Sequence, residues 1–142
     1  MNNFNPDTEL EYELQELYIL CKHWLQDISF MEDETQFFKN ILNKYQDANP
    51  NNEQPSKNVA FHQKVREQEK RLDTLKTKIP AFLSFLEPFI GNHKKDMDLD
   101  LLEKYNALEA ELTAIFATIK ATKNDLFRYA ESLMVINKSQ QV

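Results

Sequence analysis

Three stretches of this chain carry apolar residues at alternating intervals of three and four, and that spacing constrains the fold more than any other feature of the sequence. The first runs Leu10, Leu14, Leu17, Cys21, Trp24, Ile28, Met31, Thr35, Phe38, Leu42, Tyr45. The second runs Phe61, Val65, Gln68, Leu72, Leu75, Ile79, Phe82, Leu86, Phe89, and the third Leu101, Tyr105, Leu108, Leu112, Ile115, Ile119, Thr122, Leu126, Tyr129, Leu133, Ile136. Each series has one polar interruption: Thr35, Gln68 or Thr122. A mean period of about 3.5 residues keeps one side of a helix turned to its neighbours over many turns. The spacing therefore predicts an all-α fold of three long, coiled-coil-like bundle helices.

Helix boundaries follow from local chemistry. Asn5-Pro6-Asp7 suits a helix start, since Asn caps, Pro tolerates the first helical position, and Asp7, Glu9 and Glu11 favour the positive end of the dipole. Helix 1 is expected over about 6–46, and the Asn-, Asp- and Pro-rich stretch Asp47 to Lys57 forms a loop. Ser56 or Asn58 caps helix 2, expected over about 57–90, where Gly91 supplies the left-handed residue common after a helix end. Asn92 to Met97 makes a tight link. Asp96, Asp98 and Asp100 crowd the start of helix 3, about 98–137, which a short polar tail follows.

The loops are far shorter than helices of roughly 50 to 60 Å, so consecutive helices must run antiparallel, up-down-up, with helices 1 and 3 parallel. Matching layers across both turns pairs Tyr45 with Phe61 and Leu86 with Tyr105, and brings Gln68 level with Thr122 and Thr35. A buried Gln beside two hydroxyls satisfies its amide, whereas facing Leu it would cost about 1 to 3 kcal/mol. The three interruptions are thus read as register specification. Pro80 and Pro88 each remove a backbone hydrogen bond, a cost of about 3 kcal/mol inside a straight helix. Helix 2 is expected to kink or split near Pro80.

Composition sets the remaining bounds. At 142 residues the chain can bury its core as a single domain, 1–142, without disulfides or metal. Cys21, the lone cysteine, takes a seam position, and a cytoplasmic setting is expected. Met1 to Glu13 lacks the pattern of a secretory signal. The most apolar window, Ile79 to Ile90, falls short of the ~20 residues that cross a bilayer, so no membrane span is expected. With 23 acidic against 17 basic residues the net charge is −6, which repels a phosphate backbone; nucleic acid is not an expected partner.

More apolar surface remains than three inward seams can use. Ala107, Ala110, Ala114, Ala117 and Ala121 repeat the same spacing on the far side of helix 3, where small side chains let another helix approach. Tyr12 and Ile19, then Phe30 and Phe37, lie outside the seam of helix 1. Leu83, Phe85 and Ile90 add to a window of helix 2 that is apolar on almost every side. From Phe4 to Tyr45 nine acids face three Lys, whereas His62 to Lys78 holds six basic residues against three acids, which biases helices 1 and 2 toward each other.

Chemistry is harder to find. The residues three before His23, His62 and His93 are Leu20, Val59 and Ile90, so the Glu-x-x-His ligands of di-iron bundles are missing. Glu32, Asp33 and Glu34 point to different sides of a helix, and His23 points away from Cys21. Tyr45 and Tyr129 face inward near His62 and form a structural hydrogen-bond cluster. No catalytic residue, metal ligand or cofactor site is assigned. The expectation is a non-enzymatic protein-interaction module, an adaptor or assembly subunit docking another protein or a second copy of itself. The alternatives are an acidic inhibitor or immunity-type protein that neutralises a basic partner, and a small-ligand-binding bundle with a cavity lined by Trp24, Tyr105 and Phe82.

Overall fold

The computed structural model describes residues 6–47, 56–90 and 99–140, with side chains over 12–47, 56–90 and 99–135. The protein is an all-α, antiparallel up-down-up three-helix bundle: α1 (Pro6–Lys44), α2 (Lys57–Leu86), a 3-10 turn (Glu87–Phe89) and α3 (Leu99–Gln140). No strand occurs among the described residues. Every described position of the three seams is buried or half-buried, the half-buried ones being Leu17, Met31, Tyr45, Phe61, Tyr105 and Leu133. Each fully buried Leu, Ile or Phe contributes about 1.5 to 3 kcal/mol, which offsets the entropy of ordering the helices.

The helix ends obey capping chemistry. Tyr45 donates the last backbone bond of α1 to the Ile41 carbonyl at 2.9 Å. At the start of α2 the Ser56 hydroxyl accepts from the Val59 amide at 3.2 Å, and the Asp47 carboxylate accepts from the Lys57 and Asn58 amides at 3.2 and 3.4 Å. Ser56 and Asp47 are therefore the caps. Asn58 instead sends its side-chain amide to the carbonyls of Leu42 and Tyr45, at 2.8 and 2.9 Å, and ties α2 to the end of α1.

α2 runs unbroken through Pro80, which excludes the split expected there. Pro80 lies on the exposed side, where backbone left without a helical partner can turn to water. The α-geometry ends at Leu86 instead, short of residue 90, and Pro88 lies in the 3-10 turn that follows. The expectations placed on Asn5, Gly91, Asn92 to Met97, Asp96, Asp98, residues 48–55 and the side chains of Leu10 and Ile136 lie outside the described residues, whereas α3 runs on to Gln140, into the polar tail expected after residue 137.

The chain divides into two compact units, Met1–Ser29 with Asp73–Thr113 and Phe30–Leu72 with Ala114–Val142. In the second, Lys39 meets Glu69 and Leu42 meets Asn58, so α1 and α2 are antiparallel. Glu34 meets Lys123 and Phe37 meets Phe127, so α1 and α3 are parallel. The layer expected around Tyr45 and Phe61 forms here: the Phe61 ring lies 5.2 Å from that of Tyr129, whose hydroxyl is 3.3 Å from the Tyr45 carbonyl. In the first unit Lys78 meets Glu111, and Tyr105 lies beside Phe82, one turn from its expected neighbour Leu86.

Candidate docking surfaces and the polar layer

In the first unit the aromatic side chains fill the space between helices. Tyr105 stacks on Trp24 with centroids 5.2 Å apart and lies 6.3 Å from Phe82. The three rings expected to line a ligand cavity pack on one another, and Phe82 also lines the groove at Ala81 and Ala107. Burial, with the hydrogen-bonded Glu109 and its charge, pushes the Tyr105 hydroxyl up to about 12. Burial alone pushes the Cys21 thiol up to about 11. Such a thiol is a small apolar core side chain at neutral pH rather than a nucleophile.

Outside this core the first unit leaves Tyr12 and Ile19 more than half exposed. Ile19 and Ile90 flank a groove of about 410 Å³ that Gln15, Tyr18 and Glu87 complete. A second groove, about 330 Å³, lies between α2 and α3; Ala81, Phe82, Phe85, Ala107 and Leu108 line it, and the charged Lys78, Lys104 and Glu111 border it. Lys104 covers part of Phe85, its ammonium 4.0 Å from the ring centre. Ala110 is exposed on the same helix. Leu83 requires correction: it is only 5% exposed and belongs to the core, because the inward stripe of α2 widens to Ile79, Phe82, Leu83 and Leu86. Leu20, Leu99 and Leu102 are exposed apolar residues of this unit that helical spacing did not single out. Their off-seam positions were the available signal.

The second unit exposes Phe30 and Phe37, although Phe37 meets Phe127 edge-on at 6.4 Å. Ala114, Ala117 and Ala121 are exposed along its part of α3. The grooves of this unit are bordered by charge. One of about 400 Å³ is lined by Lys64, Glu67, Arg71 and Asp125 beside Gln68 and Thr122. One ion pair between α1 and α2 is Lys39 with Glu69, in which the helix richer in acid supplies the Lys.

Beneath that surface lies the polar layer. Gln68 and Thr122 are 2% and 5% exposed, and the Gln68 amide donates to the Thr122 hydroxyl at 2.7 Å. Thr35, equally buried, turns its hydroxyl onto its own helix and donates to the Glu32 carbonyl at 2.8 Å. Gln68 Oε1 is buried with no hydrogen-bond partner. The pair fixes register at the cost of one orphaned acceptor. Tyr129 lies between Asp47 Oδ1 and the Tyr45 carbonyl, at 3.1 and 3.3 Å, and burial raises its pKa. Its partners are thus Asp47 and backbone; His62 is not among those hydrogen bonds.

Among the described residues no three His, Cys, Asp or Glu are grouped to hold a metal ion, and no helix is long and apolar enough to cross a membrane. No protein-family model matches the chain, and neither a curated protein nor a solved structure matches it.

Proposed function

We propose that this chain is a non-enzymatic protein-interaction module, an adaptor or assembly subunit, that docks another protein or a second copy of itself through the apolar grooves of the first unit. The observation that carries the reading is Ile19, 54% exposed on the rim of the groove it shares with Ile90. Covering one such side chain yields about 1.5 to 3 kcal/mol, and a partner helix reaches several at once when its apolar residues recur every three or four positions. Exposed Ala107 and Ala110 let a second backbone come close.

Capture from the native cell with the immobilised full chain tests this, run at physiological salt and at about 1 M, where exposed charges are screened. An apolar interface retains its partner at high salt and loses it in Ile19→Asp. Capture that is abolished by salt and indifferent to Ile19→Asp overturns the reading and favours the acidic-inhibitor alternative, in which α1 neutralises a basic partner.

A further inference from the structure

In the second unit a groove of about 440 Å³ runs between the first turns of α2 and the later turns of α3. Its lining follows from helical spacing. Lys57, Ala60, Phe61 and Lys64 stand at i, i+3, i+4 and i+7 on α2, and Asp125, Arg128, Tyr129 and Ser132 repeat that spacing on α3. Two helical faces of the same periodicity therefore bound it. The inner residues Phe61 and Tyr129 form the floor, with ring centres 5.2 Å apart. Tyr129 is 7% exposed and its hydroxyl is engaged by Asp47 and the Tyr45 carbonyl, so what it offers the groove is ring surface.

The rim carries three cations. Lys57, Lys64 and Arg128 are exposed and form no ion pair among the described residues, whereas Lys39, Lys78, Lys104 and Lys123 each have a carboxylate partner. Lys64 sits 5.7 Å from the centre of the Phe61 ring, over the floor. Asp125 is the single acid of the lining, and the nearby Asp47 carboxylate is engaged by two amides at the positive end of α2. The lining is thus net positive on a chain whose net charge is −6. Like charges gathered over an aromatic floor repel one another until a counter-charge arrives, and the volume falls in the range of small-molecule sites.

We propose that this groove binds an organic phosphate with a flat apolar body, the ring lying on Phe61 and Tyr129 and the phosphate dianion held by Lys57, Lys64 and Arg128. Arg128 offers a planar fork of donors, and the two Lys act as point charges. The site is independent of the docking grooves of the first unit.

The test is a titration of the isotopically labelled full chain with 1-naphthyl phosphate, followed by amide chemical shifts, with inorganic phosphate and 1-naphthol as comparison probes. Saturable shifts are expected at residues 57–64 and 125–132. Each comparison probe, lacking either the ring or the charge, should bind at least about tenfold more weakly. The exposed substitutions Lys64→Gln and Arg128→Gln together should weaken naphthyl phosphate by a further tenfold or more while leaving the spectrum of a folded protein. Absence of saturable shifts at millimolar naphthyl phosphate overturns the proposal. So does binding that the two substitutions leave unchanged, or that 1-naphthol matches.

Discussion

The first unit buries Trp24, Phe82 and Phe89 around a stacked Tyr105, and its cross-helix ion pair, Lys78 with Glu111, is exposed. The second is laced by directional bonds: Gln68 to Thr122, Asn58 to two carbonyls of α1, Tyr129 toward Asp47, and the half-buried Lys39–Glu69 pair. Apolar contacts reward burial at almost any register, whereas a buried donor rewards only the register that brings its acceptor. One unit therefore specifies alignment by directional bonds, although it too exposes large apolar side chains, Phe30, Phe37 and Val59 among them. The other leaves Tyr12 and Ile19 exposed beside two grooves with largely apolar walls.

Core truncation gives the largest effect. Phe38 is fully buried in the second unit, and Phe38→Ala should cost about 3 to 5 kcal/mol in denaturant unfolding. Next comes Asn58→Leu, which removes the side-chain donor of the Leu42 carbonyl and leaves the Tyr45 carbonyl only the Tyr129 hydroxyl; a loss of about 1 to 3 kcal/mol is expected. A loss below about 0.5 kcal/mol would mean that α2 does not depend on this tie.

The polar layer sharpens the contrast further. Thr122→Val orphans the whole Gln68 amide and should cost about 1 to 3 kcal/mol, yet adding Gln68→Leu should restore stability to within about 1 kcal/mol of the parent. The double variant then loses the device that fixes register. If the second substitution restores nothing, the layer is not a coupled pair.

Alkaline pH should weaken the first unit. Cys21 and Tyr105 have folded values of about 11 and 12, above their ordinary values of 9.0 and 10.0. A raised value means that the folded state holds its proton more tightly, so this stabilisation is complete below about pH 9 and is lost as pH rises through 11 and 12. Urea midpoints measured between pH 7 and 11 should fall, with Cys21 responsible for about 2 kcal/mol; Cys21→Ala should remove the earlier part of the decline. The smallest change is expected from Ile19→Asp, within about 0.5 kcal/mol of the parent, since the side chain is exposed in the monomer.

The same comparison explains what could be read from sequence. Seam positions were legible because a 3-4 spacing has one physical meaning in a long helix, and Gln68 with Thr122 because each interrupts a seam at one level. Asn58 was not, since an Asn at a helix start looks like a cap; of the two candidates Ser56 takes that role, and only the fold reveals Asp47 beside it. Leu83 misled because the pattern does not state how wide the inward stripe of α2 becomes. Of the kink or split expected at Pro80 only the split is excluded, and Pro80 occupies the exposed side of the helix. The groove at Lys57, Lys64 and Arg128 needed two helices aligned before its charges could be seen to converge.

Apolar surface on the first unit, with Tyr12 and Ile19 more than half exposed, should attract a second copy or a hydrophobic probe. Sedimentation velocity of the purified chain at micromolar concentration, with the neutral dye Nile red present, tests it most directly. The account predicts either a dimer or a monomer that carries dye, and predicts that Ile19→Asp with Ala107→Glu abolishes whichever is seen. A parent chain that sediments as a monomer free of dye would contradict it.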